Sequence, residues 1–354
     1  FNSIINLSEP VAAASIAQVH KAKINDDGTI KEVAIKILRP DIKKTFNEEI
    51  DALMLFAFFI ESFIKKTKRL KLIDVVFLLK VITNLEMDLR FEAAAANEYA
   101  ENTQNDAGFR VPAIYWNFTS ENVMTLDWVD GVSIRETEDL QKRNIDTKRI
   151  ASDIIQHFLR HAVRDGFFHA DMHQGNMKIS PSGDIVAYDF GIMGRIDEYT
   201  RRVYAEILIG FIKKDYMRVA EVHFEAGYVS NDQDINEFSQ ALRAAGEPIF
   251  GMEANQISMG KLLTYLFEVT QRFGMETRTE LILLQRTMVV VEGVSRSMYP
   301  QINIWEVAQP VVQDYMNKSV GPRALLNDII KTGKVMSRFG PKLPKLIEAM
   351  LNDQ

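Results

Sequence analysis

The alternation of apolar and polar positions divides the chain into a strand-forming start and a longer helical remainder. Ser15–Lys23 and Glu32–Leu38 suit strands, and they flank Asn25-Asp26-Asp27-Gly28, a strong turn signal. Val33–Leu38 is apolar except for Lys36, and Pro40 stops it. From about Asp41 to Asn102 the spacing becomes helical with few breakers. Ala113–Phe118 and Asn122–Asp127 are predicted to pair as a hairpin turning at Thr119-Ser120-Glu121, with Val129-Asp130-Gly131 as a connector. Beyond Asp146, the positions Ile150, Ile154, Ile155, Phe158, Leu159, Ala162 and Val163 follow a helical repeat that Gly166 ends. The stretch Phe167–Arg195 is irregular, apart from a short strand at Ile185–Tyr188 after the Ser182-Gly183 turn. Helices resume near Tyr199. The pattern predicts an α+β protein with two lobes. The first, residues 1–128, is small and sheet-containing, with a helical insert at about 41–85; the second, residues 129–354, is larger and helical.

Composition narrows the chemistry. Of 354 residues, 47% are apolar and 25% charged, an ordinary globular balance. A formal net charge of −6 argues against general nucleic-acid binding. The chain has no cysteine, which excludes disulfides, thiol catalysis and cysteine-ligated zinc. The longest unbroken apolar run, Ala52–Ile60, falls short of the roughly 18 to 20 residues a membrane span needs, so it is expected as a buried helix. The opening Phe1, with no basic-then-apolar leader behind it, is read as the start of a trimmed piece, soluble as written, whose natural form extends at both ends.

The irregular stretch carries the strongest chemical signal. It reads His169-Ala170-Asp171-Met172-His173-Gln174-Gly175-Asn176, followed later by Asp189-Phe190-Gly191. The Asp-to-Asn spacing and the Asp-Phe-Gly triplet match the catalytic-loop and metal-loop patterns of protein kinases, with Ala170 in place of the usual arginine. That chemistry needs a carboxylate beside the attacking hydroxyl or water, here Asp171. It also needs oxygen ligands for Mg²⁺, here Asn176 and Asp189. A hairpin between them would bring Asn176 and Asp189 to one edge. His169 and His173, four apart, also suit a metal pair, but no third His or Cys ligand accompanies them at zinc-site spacing. Upstream, Val33-Ala34-Ile35-Lys36 matches the kinase strand-lysine motif, and a lysine within a buried strand requires a partner unless it snorkels to water. Earlier still, in Ala12-Ala13-Ala14-Ser15-Ile16-Ala17-Gln18-Val19, residues Ala12, Ala14 and Ala17 stand where a kinase has three phosphate-loop glycines, and Val19 keeps its place. Alanine at positive φ costs about 1–2 kcal/mol per residue, so the loop is expected to differ in shape and to close less readily.

Taken together, these segments resemble the UbiB family of atypical protein-kinase-like proteins. The resemblance runs through the alanine loop, Val33–Pro40, Glu86–Ala93, the two loop motifs, Gly260–Met275, Leu283–Gly293 and Asn303–Pro310, and it covers nearly the whole chain. The surroundings of Gly321-Pro322-Arg323 look most like the bacterial members tied to ubiquinone synthesis. The resemblance implies a kinase-like fold and binding of ATP or ADP with Mg²⁺ or Mn²⁺. It implies that Lys36 contacts the phosphates with Glu92 as its helix partner, that Asp171 is the catalytic carboxylate, and that Asn176 and Asp189 are metal ligands. Ala12, Ala13, Ala14, Ser15, Ile16, Ala17 and Val19 are then the nucleotide loop, and Glu86 and Asp88 belong to the family's acidic motif. Spacing alone does not choose Glu92 over Glu98, although Asp88 and Glu92, four apart, share a helix face. The family's KxGQ motif, which covers the active site, lies upstream of the alanine loop and is not in this sequence; nor are the apolar membrane segments that end the bacterial members.

Two function classes follow. The first is an ATP-dependent atypical kinase or ATPase that supports ubiquinone synthesis at the cytoplasmic face of the bacterial inner membrane. The second is a nucleotide-sensing scaffold for the pathway's enzymes or isoprenoid lipids; a kinase acting on proteins in trans is a third reading. The apolar Ala52–Ile64, followed by Lys65-Lys66-Thr67-Lys68-Arg69-Leu70-Lys71, fits contact with an anionic membrane at about 1 kcal/mol per basic residue near the surface. Lys331, Lys334, Arg338, Lys342 and Lys345 fit the same role.

Overall fold

The computed structural model describes residues 4–13, 16–63, 72–250, 259–275 and 279–319. The chain opens with strands β1 (Ile4–Ala13), β2 (Ala17–Asp26) and β3 (Thr29–Leu38). Helices α1 (Ile42–Phe63), α2 (Leu72–Glu86) and α3 (Leu89–Thr103) follow, then β4 (Phe109–Arg110), β5 (Val123–Asp127) and β6 (Val132–Ser133). After α4 (Thr137–Lys142) and α5 (Thr147–Arg160) come β7 (Phe167–His169), β8 (Met177–Ile179), β9 (Ile185–Ala187) and β10 (Met193–Arg195). The rest is helical: α6 (Glu198–Ile212), α7 (Tyr216–Glu225), α8 (Ile235–Phe250), α9 (Met259–Arg272), α10 (Thr279–Met298) and α11 (Ile304–Ser319).

The chain forms two compact units. The first comprises Phe1–Ile154, Phe167–Gly194 and Arg286–Pro300; the second comprises Ile155–Gly166, Arg195–Gln285 and Gln301–Gln354. In the first unit, β1, β2, β3 and β5 make an antiparallel sheet in that order. Its register is set at one end by the Asp26↔Thr29 pair, which closes a two-residue turn. Asp27 and Gly28 both have positive φ there, 47° and 87°, the twist that matches paired strands. The apolar alternation of β2 and β3 buries Ala22, Ile24, Val33 and Ile35 as one cluster. A second small sheet has the order β4-β9-β8-β6. The aromatic ring of Tyr99 on α3 lies beside Phe109, Phe167 and Phe190, at centroid distances of 5.7, 6.2 and 6.1 Å. These contacts anchor α3 to the loops that carry the site.

The second unit has its own core. Phe211, Tyr216, Val219, Phe238, Leu242 and Phe273 pack together on α6, α7, α8 and the end of α9. A π-helical turn, His161–Asp165, extends α5 before the left-handed Gly166 ends it.

Two expectations are corrected. Ala113–Phe118 is not a strand. Ile114 makes an isolated bridge to Leu126, and Trp116–Phe118 form a 3₁₀ turn. The hydroxyls of Thr119 and Thr125 donate to the Tyr115 and Phe118 carbonyls at 2.9 and 2.8 Å, taking acceptors a ladder would have used. The Ala52–Ile60 run is helical but not buried. In α1 the buried residues are Ile50 and Ala57, whereas Phe56 is 65% and Phe63 79% exposed, and Phe77 on α2 is 61% exposed. α1 and α2 pack on each other, so each covers one face of its partner, while Leu55, Phe56, Phe58 and Phe63 on α1 and Val75, Phe77, Leu79 and Val81 on α2 stay open to solvent. Among the described residues, no helix is long and apolar enough to cross a membrane. The basic segment Lys65–Lys71, Gly321-Pro322-Arg323 and the cations from Lys331 to Lys345 lie outside the described residues.

Candidate nucleotide site

The site lies wholly within the first unit. Lys36 sits in the middle of β3, paired across the sheet with Val19 on β2 and Met124 on β5, which fixes its height above the small sheet's loops. Its ammonium donates to both oxygens of Glu92, at 2.7 and 2.9 Å. Glu92 stands in the first turn of α3, whose N-cap is Asp88. Asp88 takes the Arg90 N–H and pairs with the Arg90 guanidinium, so it starts the helix and its charge is spent locally. The side chain of Glu86 lies outside the described residues. Asp189 Oδ1 is 3.7 Å from the Lys36 ammonium and accepts the Gly191 N–H at 3.2 Å.

These charges hold one another. Burial works against the charge on Lys36, but Glu92 and Asp189 outweigh it and keep its pKa above the ordinary lysine value. Burial lifts the Glu92 carboxyl above its usual range, against the pull of Lys36 and with the neighbouring Asp189 adding to it. Burial also works to raise Asp189, but Lys36, the Gly191 N–H and two histidines hold it below the usual carboxylate range. One ammonium thus serves two carboxylates, and burial weighs most heavily against the charge on Glu92.

The catalytic-loop segment folds back on itself. The Asn176 amide nitrogen donates to the Asp171 carbonyl at 3.0 Å and to its carboxylate at 3.2 Å. That leaves the Asn176 side-chain oxygen available as an acceptor. The β8–β9 hairpin pairs Met177 with Ala187, and the Tyr188 N–H donates to the Asn176 carbonyl at 3.2 Å. Asn176 and Asp189 therefore flank the same hairpin end. A neutral amide oxygen and an ionised carboxylate are hard donors, and this pair fits a divalent cation such as Mg²⁺. His169 and His173 are both tied to the backbone of their own loop. Each uses Nδ1 to accept a backbone N–H, from Asp171 at 3.1 Å and from Gly175 at 2.9 Å. Burial pushes His169 down to about 4, so its ring is neutral near pH 7.

A cavity of about 510 Å³ gathers these groups. Lys36, Asn176 and Asp189 line it, with Ala12, Ala13 and Val19 as apolar lining. Asp171 is not part of that lining; its carboxylate bonds Asn176 and lies 3.5 Å from the His173 Nε2, and both of those residues are. Ala12 and Ala13 continue β1 in extended conformation, so no positive-φ alanine occurs in the described part of the loop. Ala17 is fully buried at the start of β2 and the Ile16 carbonyl accepts the Arg39 N–H, so both serve the sheet; Ala14 and Ser15 lie outside the described residues.

Several supporting residues carry no motif in the sequence. The Thr287 hydroxyl donates to the Ala170 carbonyl at 3.0 Å, and the Gln174 amide donates to Ser297 at 2.7 Å, so the middle and the last turn of α10 brace the catalytic loop. Arg135 lines the cavity beside His173 and Gly175. Thr287 falls within a segment that carried the family resemblance; Arg135 had no such signal.

Comparison with known proteins shows the family. The ABC1 atypical kinase-like domain matches residues 6–223, and the UbiB helical domain matches residues 242–303. The probable protein kinase UbiB of Aliivibrio fischeri strain MJ11 is 35% identical over 343 residues, covering 96% of this chain and 63% of that protein. Its counterpart in Vibrio parahaemolyticus is 36% identical with the same coverage. This chain spans less than two thirds of the length of these relatives. The structure of Rv3197 from Mycobacterium tuberculosis in complex with erythromycin aligns with a TM-score of 0.64 at 22% identity, over 88% of this chain and 78% of that one, and shares the fold.

Proposed function

The chain belongs to the ABC1 atypical kinase-like family, and from that premise we propose that it is an ATP-dependent phosphotransferase or ATPase supporting ubiquinone biosynthesis at a membrane. The observation that carries this reading is the Lys36 ammonium held between Glu92 and Asp189 in the cavity that Asn176 also lines. Lys36 binds the nucleotide phosphates, with Glu92 keeping it in place. Asn176 and Asp189 hold the divalent cation, which when bound neutralises phosphate charge. Asp171 orients the attacking hydroxyl or water and takes up its proton. The curated relatives are named probable kinases, and ATP use, Mg²⁺ use and the pathway are inferred from their kinship with this chain. The exposed apolar side chains of α1 and α2 support the membrane location, at the cytoplasmic face of a bacterial inner membrane, and contact with isoprenoid or quinone-pathway lipids.

Thermal unfolding with ADP or ATP, with and without Mg²⁺, tests the site. Ligand at about a hundred times its dissociation constant should add about 2.7 kcal/mol of stability in the wild type. Asp189→Asn should lose most of the Mg²⁺-dependent part, and an equal shift in both proteins refutes the assignment. The extended Ala12-Ala13 lining favours a second reading, a nucleotide-sensing scaffold that binds ADP without rapid transfer. Asp171→Asn separates the two: full recovery of quinone levels by that variant in a deletion strain would assign the scaffold role.

A further inference from the structure

We propose that Arg135 and His173 form an anion subsite at the cavity wall, and that it receives a phosphate-class group lying beyond the nucleotide's β-phosphate. The inference rests on the nucleotide reading above and adds a ligand position to it. Both residues line the same cavity as Lys36, Asn176 and Asp189.

The geometry centres on Gly175. A Cβ at this position would lie 2.6 Å from His173 Cε1 and 2.8 Å from Arg135 Nη2. The imidazole and the guanidinium thus approach one another across a residue that has no side chain to separate them. Gly175 is itself fixed: its N–H donates to His173 Nδ1 at 2.9 Å, and its carbonyl accepts the Tyr188 hydroxyl. With Nδ1 accepting, the neutral ring carries its proton on Nε2, and Nε2 faces the Asp171 carboxylate at 3.5 Å. His173 therefore spends its one N–H on the Asp171 side and forms the wall of the subsite, and the donors to an anion come from Arg135.

Arg135 supplies the charge. Its backbone N–H donates to the Ser133 hydroxyl at 3.3 Å, which sets the direction in which the residue leaves β6. Its guanidinium has no hydrogen bond or ion pair to a protein acceptor among the described residues. Within this unit Arg149 pairs with Asp153 at 3.0 Å, Arg90 with Asp88 at 2.6 Å and Arg296 with Glu292 at 3.0 Å; what sets Arg135 apart is that it is the arginine lining the cavity of Lys36, Asn176 and Asp189. A planar fork of donors facing a cavity, with its acceptors left to a ligand, is the arrangement that recognises phosphate or carboxylate oxygens. Lys36 already serves the phosphates that lie against β3. The anion at Arg135 is then either the nucleotide's terminal phosphate or a phosphate carried by the acceptor.

Calorimetric titration distinguishes these sources. Wild type, Arg135→Ala and Arg135→Glu are each titrated with MgADP, with the Mg²⁺ complex of the non-hydrolysable analogue AMPPNP, and with inorganic phosphate after saturation with MgAMPPNP. The residue is exposed, so both variants should unfold at the wild-type temperature. In Arg135→Ala, MgADP affinity should stay within about twofold, and one of the other two affinities should fall at least tenfold, further in Arg135→Glu. A fall for MgAMPPNP assigns the subsite to the terminal phosphate. A fall confined to inorganic phosphate assigns it to an acceptor. If all three affinities are unchanged, Arg135 is a solvated surface cation and the proposal is overturned. If wild type binds no MgADP, the nucleotide reading itself fails, an outcome distinct from the failure of the Arg135 assignment.

Discussion

Each unit contains a cation ringed by carboxylates, and the two clusters behave differently. In the first unit, Lys36 lies between Glu92 at 2.7 Å and Asp189 at 3.7 Å, with its side chain 14% exposed. In the second, Arg218 meets Glu206 at 2.7 Å, Glu225 at 2.8 Å and Glu221 at 3.1 Å, with its side chain 39% exposed. By contacts alone, Arg218 is the better satisfied. Yet water screens the Arg218 cluster, whereas the strand and α3 remove water from Lys36. A charge that cannot fall back on solvent commits its partners to fixed positions, and fixed positions are what phosphate and metal chemistry require. Number of ion pairs is therefore a poor guide to which cluster works; burial is the better one.

The largest effect that tests this contrast is Glu92→Gln. The substitution keeps the shape but leaves a buried ammonium with the more distant Asp189 as its remaining carboxylate partner. Breaking a buried pair by removing one member costs about 3–5 kcal/mol. Denaturant unfolding should show a loss toward the lower end of that range, because Asp189 compensates in part. The Lys36→Met, Glu92→Gln double variant should be less destabilised than the sum of the two single ones, since no orphaned charge remains. Strict additivity would mean that the pair is solvated and that the contrast with Arg218 is false.

Acid supplies the next effect, and it reaches both units. Burial depresses His169 in the first and His223 in the second, each to about 4 from an ordinary 6.5. The unfolded chain therefore takes up these protons at a higher pH than the folded one. The stabilisation is complete above about pH 6.5 and is lost as the pH falls toward 4. Each histidine accounts for up to about 3 kcal/mol, at about 1.36 kcal/mol per pKa unit. The rings differ in how they are held: His169 Nδ1 accepts the Asp171 N–H, while His223 Nδ1 donates to the Val219 carbonyl at 2.7 Å. Stability measured from pH 7 to 4 should fall steeply in the wild type and about half as steeply in His169→Gln. An unchanged slope in that variant would show that the ring is hydrated.

These residues also show what a sequence discloses. Lys36 was legible because it breaks an apolar strand, and Asp171, Asn176 and Asp189 because loop chemistry fixes their spacing. The Gly28 turn and the Ser182-Gly183 hairpin were legible for the same local reason. Glu92 was legible through the family resemblance and not through spacing: Glu92 and Glu98 lie on the same helix, and which of them meets β3 depends on how α3 is clamped through Tyr99 to Phe109, Phe167 and Phe190. The exposure of α1 was misread because an apolar run records affinity for an apolar neighbour and not whether the fold provides one. Arg135 left no trace, since its place at the cavity is set by Gly175 and the strand β6 rather than by any repeat around it.

The smallest predicted effect comes from the cluster that looks strongest. Arg218→Ala removes contacts to Glu206, Glu221 and Glu225 at once. The three carboxylates hold the guanidinium above its already high ordinary pKa, but it is ionised at every pH where the protein folds, so that shift adds no pH dependence in the working range. The four side chains are partly or largely exposed, and each pair has water as an alternative partner. Exposed pairs contribute about 0.2–1 kcal/mol, and removing the arginine also relieves the side-chain ordering that the network imposes. The loss should be about 1 kcal/mol at low salt and shrink as ionic strength rises, because a Debye length of about 8 Å at 0.15 M already screens such charges. Glu92→Gln should show no such salt dependence. Should Arg218→Ala cost as much as Glu92→Gln, at both low and high salt, then burial would not separate the two clusters and contact number would.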